Sequence, residues 1–71
     1  GLTLGAGRDT VVFARGDGKD WVEDFTPGTD KVRLEGITAA ELTQAVETRW
    51  SYTGVALRHG TDEVFLAGPR A

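Results

Sequence analysis

The sequence predicts a mainly β fold that carries one helix. Three observations predict it. A glycine–aspartate motif recurs along the chain, apolar and polar residues alternate directly after each copy, and one segment shifts to helical spacing.

The recurring motif is Gly-x-Asp-x-Val. It stands at Gly7-Arg8-Asp9-Thr10-Val11, Gly18-Lys19-Asp20-Trp21-Val22, Gly28-Thr29-Asp30-Lys31-Val32 and Gly60-Thr61-Asp62-Glu63-Val64. The first two copies are fuller, with a further glycine two residues earlier at Gly5 and Gly16. Thr26 and Arg58 occupy that place in the later copies. A Gly-x-Gly pair tolerates positive φ and makes a tight turn with carbonyls free to point inward. The aspartate adds a carboxylate at the end of the turn. Strands follow by alternation. Val11 and Phe13 share a face opposite Thr10 and Val12, and Val32 and Leu34 lie opposite Lys31 and Arg33. Val55 with Leu57, and Val64 with Leu66, form similar pairs and predict a closing C-terminal hairpin.

The segment Ile37 to Arg49, "ITAAELTQAVETR", predicts a helix over about residues 38–48. Thr38 and Glu41 have the spacing of a capping box, and Ile37 and Leu42 that of a hydrophobic staple. Leu42, Ala45 and Val46 supply a narrow apolar stripe. A helix of this kind would cap an open end or face of the β structure.

Composition sets the bounds. The chain has 71 residues, no cysteine and a net charge of −3. Residues 1–71 therefore form a single domain with a limited core and no disulfide. No basic cluster points to nucleic acid, and no apolar run approaches the length of a membrane span. The chain opens on glycine, and we expect it to be a piece of a larger protein.

The first two copies resemble the nonapeptide repeat of the RTX (haemolysin-type) calcium-binding proteins, G-G-x-G-x-D followed by x, a large apolar residue and x. Leu4-Gly5-Ala6-Gly7-Arg8-Asp9-Thr10-Val11-Val12 and Arg15-Gly16-Asp17-Gly18-Lys19-Asp20-Trp21-Val22-Glu23 match it except at the first position. The order "DTVVFARGDGKDWVEDFTPGTDKVRLEGI", helix, "HGTDEVFLAG" is similar to the C-terminal end of an RTX β-roll, as in serralysin-type proteases and related type I secreted proteins.

The resemblance implies the end of a parallel β-roll, or short β-sandwich, whose turns bind Ca²⁺ between coils stacked on the same side. Carried over to this chain, the ligands are Asp9, Asp20 and Asp30 with the turn carbonyls of Gly5, Gly7, Gly16, Gly18 and Gly28. Asp17 and Asp24 are possible additional ligands. Asp9 and Asp20 are expected on opposite sides of the roll, with Asp30 one coil after Asp9. Such chemistry suits calcium, which takes six to eight oxygen ligands, carboxylate and carbonyl together. Only two fuller units are present, and Leu4 and Arg15 replace the leading glycines. A roll end binding one ion, or none, stays open, as do turns in which each aspartate bonds its own backbone.

The implied role is a module that folds and stabilises the C-terminal end of a bacterial protein, secreted or held at the cell surface, when it meets extracellular calcium. An uncleaved C-terminal export signal goes with that role. The alternative is a calcium-independent cap that binds a protein partner, a surface layer or a polysaccharide, or that associates with a second copy. In either case upstream repeats or an upstream domain of the parent are the expected neighbours. Trp21, Trp50 and Tyr52 are candidates for carbohydrate or partner contact, beside the usual role of aromatics in packing. Catalysis is not expected. Ser51 is the only serine and "WSYTG" lacks the G-x-S-x-G pattern, while His59 is a lone histidine placed as a turn residue.

Overall fold

The computed structural model describes residues 1–68. Seven strands run in order: β1 (Leu2–Thr3), β2 (Thr10–Ala14), β3 (Lys19–Glu23), β4 (Lys31–Glu35), β5 (Thr43–Arg49), β6 (Tyr52–His59) and β7 (Asp62–Ala67). The expected mainly β fold is present. The chain winds between two sheets. A large sheet has the order β1-β3-β7-β6-β5, and a small one pairs β2 with β4. The β1–β3, β3–β7 and β2–β4 pairs are parallel, and β5–β6 and β6–β7 are antiparallel. The result is a short parallel roll closed by a three-stranded meander. The last three residues, and with them the end of any C-terminal export signal, lie outside the described residues.

Alternation sets the faces. Val11 and Phe13 on β2, Val22 on β3, and Val64 and Leu66 on β7 meet between the sheets, joined by Leu4, Phe25, Ile37 and Leu57. Leu4, which replaces a leading glycine of the repeat, is thus a core residue. The opposite face of the large sheet carries a second cluster, in which Ala56, Phe65 and Ala67 lie beneath Trp21 and Tyr52. The small sheet has two strands against five, so Val46 on the inner face of β5 remains 77% exposed.

The helix expected over about residues 38–48 does not form. A single 3₁₀ turn spans Ala39–Glu41, Leu42 turns the chain extended, and residues 43–49 are β5. The local start signal is nonetheless real. The Thr38 amide N–H donates to Glu41 Oε1 at 2.9 Å, and Ile37 and Leu42 both pack on the core. What overrides it is the partner strand. Thr43 to Arg49 pair residue for residue with Arg58 to Tyr52 across a two-residue turn. A helix this short, with a narrow apolar stripe, is marginal by itself. Thr43, Val46 and Thr48 favour a pleated surface, and the ladder satisfies their backbone groups. The extended form also puts Glu47 and Arg49 on one face, where Arg49 and Arg58 bond both Glu47 and Glu63 at 2.8–3.1 Å.

Candidate functional site

The turns stack in two columns, one on each side of the roll. On the first side lie the turns from the large sheet to the small one, Leu4–Asp9 and Asp24–Asp30. The parallel β2–β4 register sets Thr10 beside Lys31, so Asp9 lies beside Asp30. The Lys31 amide donates to the Asp9 carbonyl at 2.9 Å, which carries the ladder into the corner. The Asp30 carboxylate is buried. Its Oδ1 accepts the Asp9 amide N–H at 2.9 Å and its Oδ2 accepts that of Thr26 at 2.8 Å. Asp30 therefore clamps its own turn to the turn one coil earlier. Such charge-assisted bonds are the stronger class of hydrogen bond.

The second column holds the turn Arg15–Gly18 and the β6–β7 turn. Here Asp62 performs the same task. Its Oδ2 accepts the Gly16 N–H and its Oδ1 the Gly18 N–H, both at 2.9 Å. These two amides, Gly16 first, hold the Asp62 carboxyl below the usual carboxylate range. The other groups of this turn are engaged as well. Asp17 Oδ2 accepts the Ala14 N–H, and the Gly18 carbonyl accepts the Glu63 N–H at 2.8 Å. Arg15 turns away from the loop, donating from Nε to the Gly36 carbonyl at 2.8 Å. His59 stands beside Asp62, with Nδ1 3.9 Å from Asp62 Oδ2 and Nε2 3.6 Å from Glu41 Oε2.

The remaining residues singled out in the sequence fall as follows. Asp9 lies at the corner before β2, whereas Asp20 lies within β3, paired with Val64. Asp9 Oδ2 is buried with no hydrogen-bond partner in the protein. Gly5 and Gly7 border open space, and Gly7 has a φ of +91° that an L side chain rarely adopts. Asp20 points inward on β3 at the mouth between the sheets, beside Leu2, Thr10 and Val11. Asp24 is exposed, in left-handed conformation at the exit from β3, and Gly28 lies in the turn that Asp30 closes. Among the described residues, no group of three or more His, Cys, Asp or Glu side chains converges as a metal cage.

A cation at the first turn would be compatible with Asp9 Oδ2, an orphaned buried carboxylate oxygen, and with the open glycine backbone around it. The second turn is different, because Asp17 Oδ2 and both carboxylate oxygens of Asp62 already accept backbone N–H groups within the protein.

Trp21, Trp50 and Tyr52 come together on the outer face of the large sheet. The Trp21 ring centroid lies 5.6 Å from that of Trp50 and 5.4 Å from that of Tyr52. The Tyr52 hydroxyl donates to Glu23 Oε1.

Two participants were not singled out in the sequence. Asp62 belongs to the fourth copy of the motif, so its signal was present in the repeat. Glu23 carried no signal, because its place beside Tyr52 depends on how β3, β7 and β6 align.

Comparison with known protein families, curated proteins and solved structures finds no match for this chain. Among the described residues no helix is long and apolar enough to cross a membrane.

Proposed function

We propose that the chain is the terminating module of a calcium-binding β-roll in a secreted protein, with calcium confined to its first turn. The observation that carries this reading is the Asp9–Asp30 stack. Two copies of one motif lie in register 21 residues apart, with the later aspartate clamping the earlier turn and the earlier one keeping a buried, unpartnered oxygen. In this reading Asp9, with the carbonyls of Gly5 and Gly7, is half of a site that a preceding coil completes. Bound calcium would neutralise the Asp9 carboxylate and brace the turn. Asp30 and Asp62 brace the later turns without an ion.

The arrangement of strands supports the direction of the stack. β1 and β2 form the open edge of the parallel winding, and the recess at the mouth between them is lined by Leu2, Thr10, Val11 and Asp20. A preceding coil would add there, as repeat stacks require covered ends. At the other end the antiparallel β5–β6–β7 meander interrupts parallel growth.

Thermal melting by far-UV circular dichroism of this chain extended by its preceding coil, with millimolar calcium against chelator, tests the reading. Calcium at about a hundredfold above its Kd would add roughly 2.7 kcal/mol. The melting temperature is expected to rise with calcium in the native chain and to stay unchanged in Asp9→Asn. A melt indifferent to calcium, or one equally sensitive after Asp9→Asn, would remove calcium from the first turn.

A further inference from the structure

We infer that the outer face of the large sheet carries a binding site for a neutral glycan, with Trp50 as the stacking platform. The site lies apart from the stacked turns and does not depend on their reading.

The β5–β6 connection is a two-residue turn, Trp50-Ser51, between the paired Arg49 and Tyr52. Trp50 has a φ of +55°. Glycine and asparagine are the residues that fit such hairpin positions, and a bulky side chain there is strained. The same residue is 88% exposed. The fold thus carries two unfavourable features, a strained backbone and a solvated indole, at one residue. Strain of this kind collects at functional sites.

The surroundings point to the ligand. An open recess of about 590 Å³ is lined by Trp21, Glu23, Trp50, Ser51 and Tyr52. That size lies within the range of small-molecule sites. The rings pack against one another, with Trp50 tilted on Trp21 at 37° and Tyr52 edge-on to it at 85°. Centroid separations of 5.4–5.6 Å leave no gap in which an ammonium group would be enclosed. The cluster is a supported platform rather than a cage.

An aromatic face carries negative quadrupole density. The partly positive C–H face of a pyranose complements it, while the sugar's hydroxyls seek acceptors at the rim. Glu23 supplies them. Its Oε2 accepts from the Thr3 hydroxyl and its Oε1 from Tyr52, which leaves lone pairs on a group that offers about four. Anionic sugars fit poorly, because the nearby Arg49 and Arg58 are already held by Glu47 and Glu63.

Trp21 and Trp50 are the two tryptophans of the chain, so intrinsic fluorescence reads the site directly. Cellohexaose, laminarihexaose and chitohexaose are titrated separately into the native chain, with choline chloride as the cationic comparison. At least one hexasaccharide is expected to shift the emission saturably. Trp50→Gly, which suits the backbone at that position, should keep the circular dichroism spectrum and weaken binding by about tenfold or more. Glu23→Gln should weaken it by a smaller factor. The inference is overturned if no sugar gives a saturable change, if Trp50→Gly binds as the native chain does, or if only choline binds. It is also overturned if light scattering finds a dimer that Trp50→Gly dissolves while no sugar binds, because the face is then a contact between copies.

Discussion

Asp30 Oδ1 accepts the amide N–H of Asp9, 21 residues earlier, at 2.9 Å, while Oδ2 of the same carboxylate accepts the Thr26 N–H at 2.8 Å. One buried side chain thus joins two successive coils at their corner. On the other side of the roll Asp62 also ties two turns together, with both of its oxygens on the Gly16 and Gly18 amides of one turn. A domain of this size has a small core. Two clamps that tie turn to turn therefore carry a substantial share of its order.

Replacing Asp30 by alanine should cost about 2–3 kcal/mol, since it strands two amide donors at a part-buried corner. Urea denaturation followed by circular dichroism reads the change, in calcium-free buffer so that no ion contributes. Asp24→Asn, at an exposed position whose left-handed backbone asparagine also tolerates, is the comparison and should shift stability by less than about 0.5 kcal/mol. Equal effects from the two substitutions would show that the clamp does not matter.

The clamp at Asp62 sets a pH dependence. Hydrogen bonds from Gly16 and Gly18 lower its pKa in the fold, and arginine partners, Arg49 first, lower those of Glu47 and Glu63. A carboxyl whose pKa is lower folded than unfolded contributes stability above the ordinary carboxylate range, about pH 4. That contribution disappears as the pH falls through the range and below it. The melting temperature should therefore be level near neutrality and drop on acidification. Asp62→Asn should lower the neutral plateau and flatten the acid limb. A variant that keeps the native acid slope would mean that Asp62 takes no part in it.

Gly54 tests the closure of the meander. It pairs with Ala67, and a Cβ built on it would lie 2.2 Å from the Leu66 carbonyl oxygen and 2.9 Å from the Ala67 Cα. Both neighbours are backbone, so relief requires β6 and β7 to part locally. Gly54→Ala should cost about 1–3 kcal/mol. Hydrogen exchange at β6 and β7 should quicken more than at β2 and β4. A stability equal to that of the native chain would contradict the close approach.

Local features were legible where they act locally. The motif Gly-x-Asp-x-Val marks the turns, and the alternation at Val11/Phe13 and Val64/Leu66 marks strand faces, because each depends on neighbouring residues alone. The spacing from Asp9 to Asp30 likewise marks one coil, since a repeat in a stacked fold returns to the same place. Residues 43–49 were not legible. Thr38 and Glu41 carry a genuine start signal, and the structure uses it for one 3₁₀ turn. Whether helix follows depends on β6, which lies beyond the Trp50-Ser51 turn. The meeting of Trp21, Trp50 and Tyr52 was open for the same reason. Trp21 is on a strand that reaches Tyr52 only across β7.

By itself the sequence determined that the chain turns and extends in a repeating rhythm, and which face of each strand is apolar. These follow from the φ freedom of glycine and from the two-residue period of a strand. The tertiary structure alone decided that Asp30 and Asp62 each reach backbone amides of another turn, that residues 43–49 extend, and that a strained tryptophan stands above the outer face of the large sheet. Each of these depends on the free energy of a partner far away in the chain, and a carboxylate or a short apolar stripe has no preferred state until that partner is present.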